Sequence, residues 1–221
     1  MLWTDGPIHF IDFEGNLTSG ILEYGIVTVQ QGTIRSAVTR LCRATGRIHP
    51  EDTAIHGLAE TTVAAASPFS DDWELFARLR AEGPFAAHYA SAENTLLKSI
   101  WPYSRHAPDF GRPGATTREW GPWIDSARLC ADVYTQLPSG KLSHGIEALG
   151  LQATLDAFAT QHCPADRRGY HAALYDAIAG ALLLLAAGSS PRLAAATVQA
   201  LIDTSTLNPE KHASLRQQEL F

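Results

Sequence analysis

Four acidic residues of this chain lie in or beside apolar stretches, and a histidine accompanies the last of them. Asp12 and Glu14 sit in "IHFIDFEGN", Glu93 follows "AAHYASA", and His171 and Asp176 sit in "YHAALYDAIAGALLLL". An unpaired carboxylate is costly to bury. The chain must therefore fold so that these acids meet a counter-charge at the edge of its core. Divalent cations suit four converging acids, and a histidine adds a group that titrates near neutral pH. Carboxylates plus a base form the kit for two-metal phosphodiester hydrolysis.

Spacing refines the picture. Asp12 and Glu14 are two apart on a strand, which puts both side chains on one face. Side by side they repel unless a cation sits between them. The alternative for D-x-E is a solvent-facing strand end, but "IHFI" marks a buried first strand. His171 and Asp176 are five apart. On one helix that offset is about 140°, so they would not share a face. The spacing predicts His171 in the loop before the helix and Asp176 in its second turn. A mobile loop histidine can then swing over a metal held by Asp176. Glu93 falls in the first turn of a helix starting near Ser91, where the dipole favours an acid. Stabilising that helix start is its alternative role. His88, at the end of a short strand, reads as a structural or substrate-contacting residue rather than a metal ligand.

The rest of the chain supplies a framework. Residues 8–14, 21–30 and 33–44 read as three antiparallel strands, the last two joined at "QG" as a hairpin. Pro50 suits a helix start and Gly57 its end. Residues 70–81 read as a helix with a good cap. A short strand "GPFAAH" follows, then the helix "SAENTLLKSIWP", stopped by Pro102. Residues 103–121 are rich in Pro, Gly and Arg and read as a surface loop. "PWID" reads as a strand leading to a helix from Ser126, with "LSHGIEALGL" a further short helix. "HAALYDAIAGALLLLAAG" is the longest and most buried helix, and "PRLAAATVQALID" the last. Strands early and helices later give a mixed α/β sheet flanked by helices. The expected organisation is one domain over residues 1–203 and a polar tail over 204–221.

Composition excludes several classes. The chain has 221 residues, 45% hydrophobic and 18% charged, enough to bury a core and too apolar for disorder. No apolar run approaches the roughly 20 residues of a membrane span. The start "MLWTDGPIHF" lacks a basic segment followed by an apolar one, so no signal peptide is expected. Cys42, Cys130 and Cys163 are odd in number and far apart, which fits a reduced cytoplasmic protein rather than a disulfide or zinc framework. A net charge of −6 argues against a long nucleic-acid track. A few terminal nucleotides remain compatible, because bound metal ions can supply the positive charge.

The order D-x-E, then H-x-A-x-x-acid, then H-x-x-x-x-D resembles that of the DEDDh 3′–5′ exonucleases. These include proofreading epsilon subunits, RNase T and oligoribonuclease. The resemblance spans residues 8–185 through "EYGIV", "IHPEDTAIHGLAETTVAAASPF" and "IDSARLCADVYTQLPSGKLSHGIEALGL". It implies a ribonuclease-H-like fold in which Asp12, Glu14, Glu93 and Asp176 hold two Mg²⁺ or Mn²⁺ ions. It gives His171 the role of general base. It places Gly15 and Asn16 against the terminal nucleotide, Ile55, His56 and Gly57 beside the terminal base, and His88 among the substrate contacts. Single-stranded 3′ ends are the implied partner; DNA is slightly favoured over RNA, mainly on account of the final "QQELF". The chain departs from the family at Glu93, where aspartate is usual. It also departs at Ala92 for an aromatic, Tyr89 for asparagine and Gly15 for threonine.

Other residues keep two readings. Arg167, Arg168 and Lys141 can touch substrate phosphates or remain solvated loop charges, as can Arg105, Arg112 and Arg118. Trp101, Trp120 and Trp123 can stack on a base or pack internally. The final "QQELF" places Gln217, Leu220 and Phe221 in the Q-x-x-L-F pattern by which bacterial replication and repair proteins bind the sliding clamp. A tail packed on its own domain is the alternative. Two functional rivals stand beside the exonuclease. One is a binding module of the same fold whose metal site Glu93 has spoiled. The other is a phosphodiesterase acting on dinucleotides or other small molecules.

Overall fold

A computed structural model describes residues 1–205. β1 (Ile8–Asn16), β2 (Gly20–Gln30) and β3 (Thr33–Leu41) form an antiparallel meander. Gln31 and Gly32 join β2 to β3 with φ of 55° and 70°, the positive values a tight two-residue hairpin needs. β4 (Phe85–Ala87) pairs parallel to β1. β5 (Ala107–Pro108) and β6 (Thr116–Thr117) make a separate ribbon. β7 (Ile124–Asp125) then joins β4 in parallel, giving the order β3-β2-β1-β4-β7. This is the expected mixed sheet with its first three strands antiparallel. The helices are α1 (Pro50–His56), α2 (Glu60–Val63), α3 (Trp73–Glu82), α4 (Ala90–Ile100), α5 (Ser126–Val133), α6 (Leu142–Ala148), α7 (Gln152–His162), α8 (Ala173–Gly188) and α9 (Val198–Thr204). Among the described residues, no helix is long and apolar enough to cross a membrane.

Both faces of β1 are covered, and its period-two alternation sorts them. Ile8 and Phe10, with Val27 and Val29 opposite them on β2, pack into the core that contains α8. Ile11 and Phe13, opposite Ile26 and Tyr24, pack into a second core with Phe76 of α3 and Leu97 of α4. Asp12 and Glu14 continue the first column, so they emerge at the α8 end of the strand. Helix α8 can lie this close because glycines meet it. A Cβ on Gly180 would stand 2.2 Å from Phe10 Cζ. A Cβ on Gly25, the cross-strand neighbour of Asp12, would stand 2.3 Å from the Ala173 carbonyl oxygen. The start of α8 therefore rests directly on β2 beside Asp12.

Several elements differ from expectation. Helix 70–81 begins only at Trp73, after a 3₁₀ turn over Phe69–Asp72, and no side chain caps it. Phe69 causes this: it is buried against Phe13, Phe76 and Trp101, which draws the chain in by a tighter turn. Strand 33–44 ends at Leu41, because Arg43 leaves the ladder to bridge Pro68. The segment 103–121 is not a surface loop throughout. The fully buried Arg80 of α3 donates to the carbonyls of Trp120 (2.9 Å), Pro108 (2.9 Å) and Gly121 (2.6 Å). Its guanidinium replaces the water those carbonyls would otherwise need. Trp120 is fully buried, and Trp101 belongs to the same core with Trp123 packed against it, so the tryptophans pack rather than stack on a base. The last helix covers Val198–Thr204 rather than 191–203. Trp3 N donates to Ala196 O, Leu2 bridges Thr197, and the Thr197 hydroxyl caps Ala200 N, so 196–197 is extended. Thr204 and Ser205 are buried rather than part of a polar tail. Helix α7 was not foreseen; among its residues only Leu155 and Ala159 are buried, so its periodicity is faint.

Gly25→Ala is expected to lower unfolding free energy by about 1–3 kcal/mol, since the atoms it meets are backbone. Gly169→Ala, with nothing within 4 Å, is expected to change it by less than about 0.5 kcal/mol. Urea denaturation of the two variants checks the contrast, and equal stabilities would contradict it.

Candidate active site

The end of β1, the first turn of α4 and the first turn of α8 meet at one place. Glu14, Glu93 and Asp176 are each buried to 8% relative exposure, and Asp12 is partly exposed beside them. Glu14, His171 and Asp176 each offer a ligand atom within 4.8 Å of the others. Asp176 lies in the first turn of α8, not the second, and His171 lies in the preceding turn as expected. The His171 amide donates to Asp176 Oδ2 at 2.8 Å, and its backbone adopts φ 66°. His171 itself is exposed.

The acids strain against one another. Burial raises the Asp12 carboxyl well above its usual range, and Glu93, Asp176, Glu14 and Glu23 add to the rise. Burial, then Asp176 and Glu23, push Glu14 up to about 8 against the pull of Arg167. Burial and Glu14 push Glu93 up to about 8, although a Phe13 backbone hydrogen bond favours its ionised form. Burial pushes Asp176 up to about 7, opposed by the His171 amide and Arg167. Two buried carboxylate oxygens, Glu93 Oε2 and Asp176 Oδ1, have no hydrogen-bond partner among the described residues. Such oxygens are expensive to leave unsatisfied. Oxygen donors of this kind fit Mg²⁺ or Mn²⁺, and the residues present therefore fit a divalent cation.

The flanking candidates are mostly engaged in structure. Gly15 carries φ 120° at a bulge, where a Cβ would stand 2.2 Å from Gly20 O. The Asn16 side chain donates to Asp52 at 2.8 Å and accepts from Thr18 and Ser19, so it shapes the β1–β2 turn rather than facing a ligand. Ile55 is 58% exposed at the end of α1, His56 is buried with Nδ1 accepting from Leu58, and Gly57 ends the helix at φ 73°. Both ring nitrogens of His88 are used, with Ser126 Oγ at 2.9 Å and Gly140 O at 2.8 Å. That makes it a brace between β4 and the loop before α6. Arg168 bonds the carbonyls of Thr160 and Cys163. Arg105 pairs with Glu74, Arg112 with Asp109, and Arg118 lies over Tyr103. Lys141 is exposed. Gln217, Leu220 and Phe221 lie outside the described residues.

Two residues at the site carry more than the sequence suggested. Glu23 is only 2% exposed, faces Glu14 across β1–β2, and accepts from the amide of Ala173 at 3.0 Å. Arg167 pairs with Glu23 and donates to His56 O at 2.5 Å and His171 O at 3.1 Å. The histidine loop is thus tied rather than free to swing, and Arg167 is committed to protein partners rather than phosphates. The one available signal was an acid inside the apolar run "ILEYGIV".

No protein-family model matches the chain, and no curated protein matches it. Solved structures do match. Exonuclease X in complex with 5′ overhanging duplex DNA has 22% identity and a TM-score of 0.64, over 90% of this chain and 99% of that one. The nuclease domain of 3′hExo, a DEDDh family member bound to rAMP, has 15% identity and a TM-score of 0.58, over 84% and 93%. The zinc-bound complex of E. coli ExoI with single-stranded DNA has 14% identity and a TM-score of 0.61, over 86% of this chain and 42% of that one. The chain therefore has the ribonuclease-H-like fold on which these exonucleases are built.

Proposed function

We propose that the protein is a metal-dependent 3′–5′ exonuclease that hydrolyses phosphodiester bonds and releases nucleoside monophosphates, with DNA slightly favoured over RNA. One observation carries the reading: two unpartnered buried carboxylate oxygens converge with Asp12, Glu14 and His171. The matched structures support the substrate class, since two of them hold DNA and one holds rAMP.

Asp12, Glu14, Glu93 and Asp176 would hold two divalent ions, which supply charge neutralisation at the phosphate and ease ionisation of the attacking water. A ring nitrogen of His171 takes the proton of that water. The water oxygen forms the new bond to phosphorus. The bond from phosphorus to the 3′ oxygen breaks, leaving a chain shortened by one 5′-monophosphate, and solvent protonates the freed 3′ oxygen. Ile55, exposed at the rim, offers an apolar surface to the terminal base. Glu93 is one methylene longer than aspartate. From the first turn of α4 that length still delivers its carboxyl to the cluster, so the site keeps four acids.

Single strands of DNA and RNA labelled at either end test the reading, incubated with Mg²⁺, Mn²⁺ or EDTA. Stepwise loss from the 3′ end that requires metal is expected, and Asp12→Ala is expected to abolish it. His171→Ala is expected to lower kcat by about 10²–10⁴-fold. Cleavage that persists in EDTA, or no cleavage of either polymer by folded protein with metal, would refute it.

Stability should report the same acids. Carboxyls raised in the folded state keep protons that the unfolded chain releases above about pH 4. Without metal, stability is therefore expected to fall as pH rises from about 4 towards the folded values of about 7 for Asp176 and about 8 for Glu14 and Glu93. Added Mg²⁺ is expected to raise the melting temperature more at pH 8 than at pH 5. Asp12→Asn is expected to stabilise the metal-free protein at pH 8. Melting curves in EDTA that are flat or rise with pH would contradict this.

A further inference from the structure

Arg167 occupies an unusual position. Its side chain is 14% exposed and reaches three separate elements. On β2 it meets Glu23, whose carboxylate also accepts the Ala173 amide at the start of α8. At the C-terminal end of α1 it donates to His56 O. In its own loop it donates to His171 O. A planar guanidinium spreads five donors over a rigid fork and so reaches acceptors on several elements, whereas an ammonium concentrates its three donors on one nitrogen. The loop needs this support, because His171 holds φ 66°, a backbone region that costs energy for a residue with a Cβ. The Asp176 carboxylate grips the His171 amide from one side, and Arg167 grips its carbonyl from the other. Between them they fix the peptide units on either side of the histidine.

We propose that Arg167, neutralised by Glu23, is a positioning residue that sets the orientation of His171 towards the carboxylates and couples it to the α1 end of the cleft. This rests on the exonuclease reading for its consequence in rate, though not for its consequence in structure. Arg167 touches no reacting atom. It holds the backbone that aims the imidazole, and through His56 O it fixes the same loop to the segment containing Ile55 and Gly57. A base displaced by about 1 Å loses roughly a hundredfold in rate, so the bracket is expected to appear in kcat rather than in substrate binding.

Arg167→Met alone leaves Glu23 buried without its cation and can unfold the protein, so the double variant Arg167→Met/Glu23→Gln removes both charges together. Two readouts are taken on folded full-length protein. In the first, kcat is expected to fall about a hundredfold with KM within about threefold of wild type. In the second, hydrogen–deuterium exchange of amides 168–173 is expected to rise about tenfold while β1 stays protected. Wild-type exchange and wild-type kcat in the double variant would overturn the proposal, as would equal losses in kcat/KM carried entirely by KM. If wild-type protein cuts no nucleic acid, the exonuclease reading fails. The exchange experiment then still decides the bracket: a loosened loop upholds it and an unchanged loop overturns it.

Discussion

Mutual repulsion among buried carboxylates is the constraint around which this molecule is arranged. Asp12, Glu14, Glu93 and Asp176 come from three separate elements, and every one has its carboxyl pushed upward by burial and by its neighbours. Glu23 adds a fifth acid close by, yet Arg167 and the Ala173 amide satisfy it. The contrast separates the two kinds of acid. Glu23 has its counter-charge built into the chain, whereas Glu93 and Asp176 each present a buried oxygen with no hydrogen-bond partner among the described residues. Under the proposed function, those two oxygens are where an external cation would supply what the chain does not.

The scaffold exists to bring those elements together against their repulsion. Gly25 lets α8 settle on β2 opposite Asp12, and Gly180 lets it lie over Phe10. The Asp125 carboxylate at the end of β7 caps the start of α5 and also accepts the amides of Tyr89 and Ala90, which anchors the helix that delivers Glu93. His88 and Tyr89 both bond Gly140 O, tying the same region to the loop before α6. Packing on both faces of β1 then makes these placements stiff, as close-packed interiors are.

Much of this was legible in the sequence, for identifiable reasons. Period-two alternation in "IHFIDFEGN" placed Asp12 and Glu14 on one face, and the cross-strand register confirms it. Gly57 at φ 73° ends α1 as its position indicated. The five-residue gap between His171 and Asp176 required a loop histidine, which is what the chain shows. What escaped depends on distant contacts. The span 70–81 reads only as a helix with apolar spacing, and the carbonyls of Trp120, Pro108 and Gly121 alone explain the complete burial of its Arg80. Arg167 reads in sequence as a phosphate contact or a solvated loop charge, because its partner Glu23 lies 144 residues away. Thr197 ended the last helix's N-terminal extension because Trp3 and Leu2 pair with residues 196–197 from the other end of the chain. Local pattern reports periodicity; it does not report which polar group will be buried against which.

The account turns on whether a cation resolves the carboxylate cluster. A crystal grown with Mn²⁺, with diffraction measured on both sides of the manganese absorption edge, locates the ion without reference to activity. Anomalous density among Asp12, Glu14, Glu93 and Asp176, absent in Asp12→Ala, is the expected result. A map with manganese only elsewhere on the protein, and the four carboxyls still bare of any ion, would contradict it.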